Sequence, residues 1–116
     1  MRDALLRRMV AVEAHWRRTG MLPRLLHSLG TGESFEIAPE VDGFADLASG
    51  AQARRMEGGL VVTPGEHRLA LVLEDDVGFS GHAAGERFTG RAGGGSTVTI
   101  YAGSGEYFQY AVALTL

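Results

Sequence analysis

The stretch Ser96–Leu116, STVTIYAGSGEYFQYAVALTL, carries the clearest structural pattern in the chain. Two runs rich in β-branched and aromatic residues flank a Gly-Ser-Gly-Glu turn. In the second run every other residue is large and apolar: Phe108, Tyr110, Val112, Leu114 and Leu116. Alternation with a period of two is typical of a strand with one buried face. The stretch therefore predicts a C-terminal β-hairpin whose last strand packs against a core.

The β pattern extends upstream of this hairpin. Leu60–Thr63 and His67–Glu74 flank a Pro-Gly turn, which predicts a second hairpin. Both faces of His67–Glu74 are apolar, so we expect a central strand that is covered on both sides. Residues 78–95 hold seven glycines. This composition predicts loop, interrupted by one short strand over residues 86–91.

The N-terminus has the periodicity of an amphipathic helix over residues 3–19. Asp3 is a suitable N-cap, and Gly20 is a suitable helix stop. Arg7 and Arg18 point away from the apolar stripe, so we expect them on a polar face that either is solvated or contacts a partner. The stripe itself consists of Leu5, Met9, Val12 and Trp16.

Between this helix and the β-rich part, the elements are short. Pro23 suits the first position of a second helix that runs to about Leu29. Residues 34–38 alternate and predict a short strand that ends at Pro39. Residues 42–57 are interpreted as a helix, with a long loop as the alternative, because two glycines each cost a helix about 1 kcal/mol.

This order of elements predicts an α+β fold, with an N-terminal helix or helix pair packed on a mostly antiparallel sheet of about six strands. The sheet would be sandwich-like or a curled roll. The order is compatible with a cystatin-like α+β roll and also with a small β-sandwich that carries a helical arm. We expect one domain over residues 1–116, with a helical arm at 1–30 and a β-rich body at 31–116.

The charge is unevenly distributed along the chain. Residues 1–29 carry six arginines and two acids, a net charge of +4, whereas residues 30–116 carry five arginines and twelve acids, a net charge of −7. A basic element on an acidic body either docks on that body or faces an anionic partner.

Lysine, asparagine and cysteine are absent. The lack of cysteine excludes disulfides and thiolate metal sites. Because lysine and asparagine codons both begin with two adenines, we interpret the bias as that of a GC-rich bacterial genome.

Charges throughout the N-terminal apolar region exclude a signal peptide, so we expect a cytoplasmic protein that is not associated with a membrane.

No motif predicts catalysis, a metal or a cofactor. The glycine-rich segments lead into strands, and no lysine is present to complete a phosphate-binding loop. Gly78–His82 differs from a nucleophile elbow at its last position. The acids at positions 74–76 lack the spacing of a calcium loop. We therefore expect no catalytic residue, no metal and no cofactor.

Exposed aromatic and arginine side chains are the better candidates for function. Tyr101 and Tyr107 have the opposite parity to the core-facing residues and lie near the last turn. The candidates for an interaction surface are Tyr101, Tyr107, Arg7 and Arg18. The candidates for a ligand pocket are Trp16, His82 and Tyr110.

Three functions are compatible with these features. The leading hypothesis is a non-catalytic protein–protein interaction or assembly subunit that self-associates, because an apolar last strand would form an edge that must be paired. The second is a small-ligand pocket, or a small enzyme, inside a curved sheet beneath the helix. The third is an arginine-rich helix that binds nucleic acid, although the acidic body would repel phosphates.

Overall fold

The computed structural model describes residue 1 and residues 3–116. In the described part, one helix and ten antiparallel strands form a closed barrel. The helix is α1 (Ala4–Thr19), and the strands are β1 (Leu25–Ser28), β2 (Ser34–Glu40), β3 (Gly43–Asp46), β4 (Ala51–Met56), β5 (Gly59–Thr63), β6 (His67–Leu73), β7 (Gly78–Ala83), β8 (Glu86–Arg91), β9 (Thr97–Ala102) and β10 (Tyr107–Ala113).

Consecutive strands pair with each other around the whole barrel, so the topology is an up-and-down meander. The ring closes where β1 pairs with β10, with Leu25 opposite Ala113 and Leu26 opposite Val112. Closure leaves no strand with a free row of backbone hydrogen-bonding groups.

The helix lies inside this barrel. Residues 8–15 are all buried, and a helix buried on every side belongs to an interior. Its arginines reach several parts of the surrounding wall: Arg8 contacts β2 and β3, and Arg18 reaches the start of β7. Side chains from both the helix and the wall fill the lumen. The largest fully buried apolar ones are Met9, Val10, Val12, Leu26, Ile37, Phe44, Leu60, Val62, Leu71, Phe79 and Ile100.

The helix ends where the sequence predicts. The Asp3 carboxylate accepts a hydrogen bond from the Leu5 amide at 2.9 Å, which caps the first turn. At the other end, Gly20 has φ +74°, and its amide donates to the Trp16 carbonyl at 2.6 Å. A left-handed glycine of this kind is a common helix stop. The predicted helix over residues 3–19 is therefore confirmed to within a residue.

The predicted fold class is wrong. Instead of a helix packed on a six-stranded sandwich or roll, the chain forms a ten-stranded barrel with the helix inside it. The second helix does not exist, since Leu25–Ser28 is a strand that pairs with β10 and β2. Residues 42–57 are neither a helix nor a long loop but contain β3 and β4. Strand β2 also continues through Pro39 instead of ending there.

The missed strands have weak hydrophobic patterns because their inward residues are small or charged. In β4 the buried positions are Ala51 and Ala53, and the next inward residue is Arg55. In β7, which was predicted as loop, a glycine occupies an inward position between Phe79 and Ala83. The helix takes up the lumen, so large inward side chains are not needed at these places.

Two smaller predictions also need correction. The outer face of β6 is not covered, because the Val72 side chain is 60% exposed. In the last strand Tyr110 is buried and Phe108 and Val112 are half-buried, as predicted, whereas Leu114 and Leu116 lie beyond β10 and are exposed.

Candidate functional site

A buried ion pair joins the helix to β3. The Asp46 carboxylate accepts hydrogen bonds from Nε and Nη2 of Arg8, both at 2.9 Å. It also accepts from the Ser49 amide at 3.1 Å and the Ser49 hydroxyl at 2.6 Å. Burial alone would raise the pKa of the Asp46 carboxyl, but the bonds from Arg8 and Ser49 together lower that pKa below its usual 3.8. This pair holds the helix in register with the wall.

A second ionic cluster lies further along the helix. Glu13 is fully buried and accepts from Arg17 Nε at 3.0 Å and from Arg55 Nε at 3.1 Å. The Arg55 guanidinium stacks on the Trp16 ring, 3.5 Å from the ring centre. Trp16, a predicted pocket residue, is therefore covered by an arginine of the chain itself.

The last turn of the helix is tied to the wall through backbone carbonyls. Arg18 donates from Nε to the Ala92 carbonyl at 2.7 Å and from Nη2 to the Gly78 carbonyl at 3.1 Å. Arg17 donates to the Leu71 carbonyl. Arg18, a predicted interaction residue, thus contacts the barrel itself.

Three other predicted residues meet in one crevice. Arg7, Tyr107 and Tyr110 line a space of about 420 Å³ between the β1–β2 turn and β10. We call it the hairpin crevice. Its floor includes Phe108, and Cζ of the Arg7 guanidinium lies over the Phe108 ring, 4.1 Å from the ring centre. Its rim includes Leu29. The remaining lining residues are Ser28, Gly30, Thr31 and Gln109.

The last two predicted residues meet on the outer wall. Tyr101 and His82 line a groove of about 490 Å³ across strands β6 to β9, which we call the wall groove. Its side chains include Val72, Ser80 and Thr89, and its ends are formed by Arg87 and Glu74. This surface faces away from the lumen, so His82, which was predicted to line a pocket beneath the helix, lies on the outside of the barrel instead.

Strand register aligns the groove side chains in rows. Val72 lies opposite Ser80, Ser80 opposite Thr89, and Thr89 opposite Tyr101. A second row places His82 opposite Arg87. Val72, Thr89 and Arg87 are not among the residues predicted from the sequence. Their shared outward parity would have revealed them only once β6 to β9 were known to be neighbouring strands.

Two of the three acids at positions 74–76, Glu74 and Asp75, have structural partners. Asp75 accepts a hydrogen bond from the Gly78 amide and another from the Val77 amide at 2.9 Å, and these bonds lower the pKa of its exposed carboxyl below 3.8. Glu74 accepts from the Ser80 hydroxyl. Among residue 1 and residues 3–116, no three His, Asp or Glu side chains are placed to hold a metal ion.

No helix within the described residues is both long enough and apolar enough to cross a membrane. Comparisons of the chain with protein-family models, with curated proteins and with solved structures find no match in any of the three.

Proposed function

We propose that this protein is a non-catalytic interaction subunit that self-associates through the hairpin crevice. The observation that carries the proposal is the pair of exposed apolar side chains at its rim, Leu29 at 51% exposure and Tyr107 at 62%. Large apolar side chains beside a concave space are typical of binding hot spots, where tyrosine is enriched.

The floor beneath these two residues is held in place. Phe108 is stacked under the Arg7 guanidinium, and Arg7 also donates from Nη1 to the Met1 carbonyl at 2.6 Å. A fixed floor with an apolar rim favours side-chain docking, because little conformational entropy is lost on binding.

The proposal no longer rests on an unpaired last strand. Strand β10 pairs with β9 on one side and with β1 on the other, so a partner cannot extend the sheet there. Association would therefore occur through side chains. Because α1 fills the lumen, the geometry does not favour a ligand pocket beneath the helix. Arg8, Arg17 and Arg18 are bonded within the barrel, so the geometry does not favour nucleic-acid binding by the helix either.

Light scattering coupled to size exclusion over a range of protein concentrations tests the proposal. We expect the native chain to show a concentration-dependent dimer. The double variant Leu29→Ser, Tyr107→Ser should weaken association by about 30-fold or more, the effect of losing a hot spot. Val41→Ser is the matched control, since Val41 is fully exposed but lies on the β2–β3 turn. A native chain that stays monomeric at millimolar concentration would refute the proposal.

A further inference from the structure

The wall groove has the size and shape of a small-ligand site. Its volume of about 490 Å³ lies within the range of about 300–1,000 Å³ typical of such sites. Its base is apolar, formed by Ala70, Val72 and neighbouring backbone, while polar groups stand at fixed positions around it. Its lining residues do not include Leu29 or Tyr107 of the hairpin crevice, and the two sites meet only where the Tyr101 ring lies beside that of Tyr107.

One end of the groove carries the guanidinium of Arg87 and the imidazole of His82. Arg87 and His82 lie directly opposite each other on β8 and β7, and both side chains are exposed. Within the described residues, neither side chain takes part in a hydrogen bond or an ion pair. The helix arginines, by contrast, are bonded to carboxylates or carbonyls. A free guanidinium at the end of a groove is suited to binding a carboxylate in a bidentate manner.

The middle of the groove carries hydroxyl groups. Ser80 and Thr89 face each other, two residues and about 7 Å along their strands from His82 and Arg87. The Ser80 hydroxyl donates to Glu74, so its lone pairs remain free to accept a hydrogen bond from a ligand. Glu74 adds acceptors at the far end. This part of the groove matches a ligand with several hydroxyl groups.

An aromatic ring forms one side of the groove. Tyr101 lies opposite Thr89, is 39% exposed and has its ring centre 6.4 Å from that of Tyr107. A tyrosine held by a neighbouring ring offers an apolar surface next to polar groups. A sugar ring has one face lined by C–H bonds, which can pack on the tyrosine ring. The hydroxyl groups at its edge can bond to the polar groups of the groove.

We propose that the wall groove binds a carboxylated sugar. The carboxylate lies at Arg87 and His82, the hydroxyls reach Ser80, Thr89 and Glu74, and the ring packs on Tyr101. An acidic peptide fits less well, because it would bring further negative charges towards Glu74. The charged groups of the wall groove therefore match a ligand with a single negative charge at one end.

Titration of the ¹⁵N-labelled protein with sodium glucuronate, followed by amide chemical shifts, tests the proposal. We expect saturable shifts at Ser80, Thr89 and Tyr101 with a dissociation constant on the order of millimolar, as befits a ligand of this size. Glucose, which lacks the carboxylate, should bind about tenfold or more weakly. A galacturonate tetramer, which carries four carboxylates, should bind no more tightly than glucuronate, because its further negative charges would approach Glu74; tighter binding of the tetramer would contradict a ligand with a single charge.

Arg87→Gln should weaken glucuronate binding by about tenfold or more while leaving the amide spectrum of the barrel intact. Tyr101→Ala should weaken glucuronate and glucose binding alike, because both depend on the ring face. Arg91→Gln is the matched control, being an exposed arginine of the same strand that does not line the groove. The proposal fails if glucuronate produces no groove shifts, if Arg87→Gln binds as the native protein does, or if a tri-glutamate peptide binds more tightly than the sugars.

Discussion

At the scale of single residues, the buried Asp46 carboxylate makes the stability depend on pH. Its pKa in the folded chain lies below the usual 3.8, because the bonds from Arg8 and Ser49 outweigh burial. A lowered pKa means that the unfolded chain binds this proton more readily. The stabilisation is therefore complete above about pH 5 and is lost as the pH falls below about 4. Urea unfolding between pH 3 and pH 7 measures the loss.

The variant Asp46→Asn should lower the free energy of unfolding at pH 7 by about 3–5 kcal/mol, because it leaves the buried Arg8 without a counter-charge. It should also show a flatter pH dependence between pH 3 and pH 5. Asp42→Asn, at an exposed acid on the β2–β3 turn, is the control and should behave like the native chain. Equal pH profiles for Asp46→Asn and the native chain would contradict this assignment.

At the scale of elements, the end of the helix depends on Gly20. Its φ is +74°, and no atom lies within 4 Å of the place that a Cβ atom would occupy, so the cost of Gly20→Ala is conformational and not steric. We expect a loss of about 1 kcal/mol in urea unfolding. Gly30→Ala is the matched control, since Gly30 also has open space around it but no positive φ, and it should be neutral. Equal effects of the two variants would contradict the capping role.

The close approach of β6 and β7 depends on Gly81. A Cβ atom at this position would overlap the Ala70 carbonyl oxygen and would lie 2.7 Å from Cζ of Phe88. Gly81→Ala should therefore destabilise the barrel by about 3 kcal/mol or more, because backbone and a buried ring would have to move. Thermal unfolding followed by circular dichroism measures the loss. A melting temperature within a degree or two of the native one would show that the two strands tolerate separation.

At the scale of the whole molecule, closure of the ring by β1 and β10 distinguishes the barrel from an open sheet. Leu25 and Ala113 lie opposite each other on the outer surface, and the chain contains no other cysteine to interfere. The double variant Leu25→Cys, Ala113→Cys should form an intramolecular disulfide on mild oxidation, and it should gain up to about 4 kcal/mol of stability through loop closure. Thiol titration and unfolding of the oxidised and reduced forms measure both effects.

The control for this prediction is Leu25→Cys, Thr97→Cys. Thr97 lies opposite Ala111 on the next strand, so the two sulfurs are separated by the width of β10. This pair should remain reduced or form only intermolecular links. If it oxidised as readily as the pair at positions 25 and 113, the chain would not have the closed β1–β10 register.

Short-range sequence patterns were sufficient to predict the local features. The helix over residues 3–19, with Asp3 and Gly20 at its ends, and the alternation of β9 and β10 follow from short-range patterns that need no distant partner. The alternation also predicts that Tyr101 and Tyr107 face away from the core, and both side chains are exposed. Such features depend on backbone conformation and on neighbours within a few residues.

The closure of the sheet by β1 and β10 could be known only from the folded chain, and so could the contacts that place the helix inside the barrel. The contacts responsible join Arg8 to Asp46, 38 residues away, and Glu13 to Arg55, 42 residues away. Because a helix occupies the lumen, the inward positions of the wall can hold alanine, glycine and a paired arginine. Without large apolar residues at every second position, β4 and β7 have no recognisable strand pattern in the sequence. The wall groove likewise exists only because β6 to β9 pair side by side with their outward residues in register.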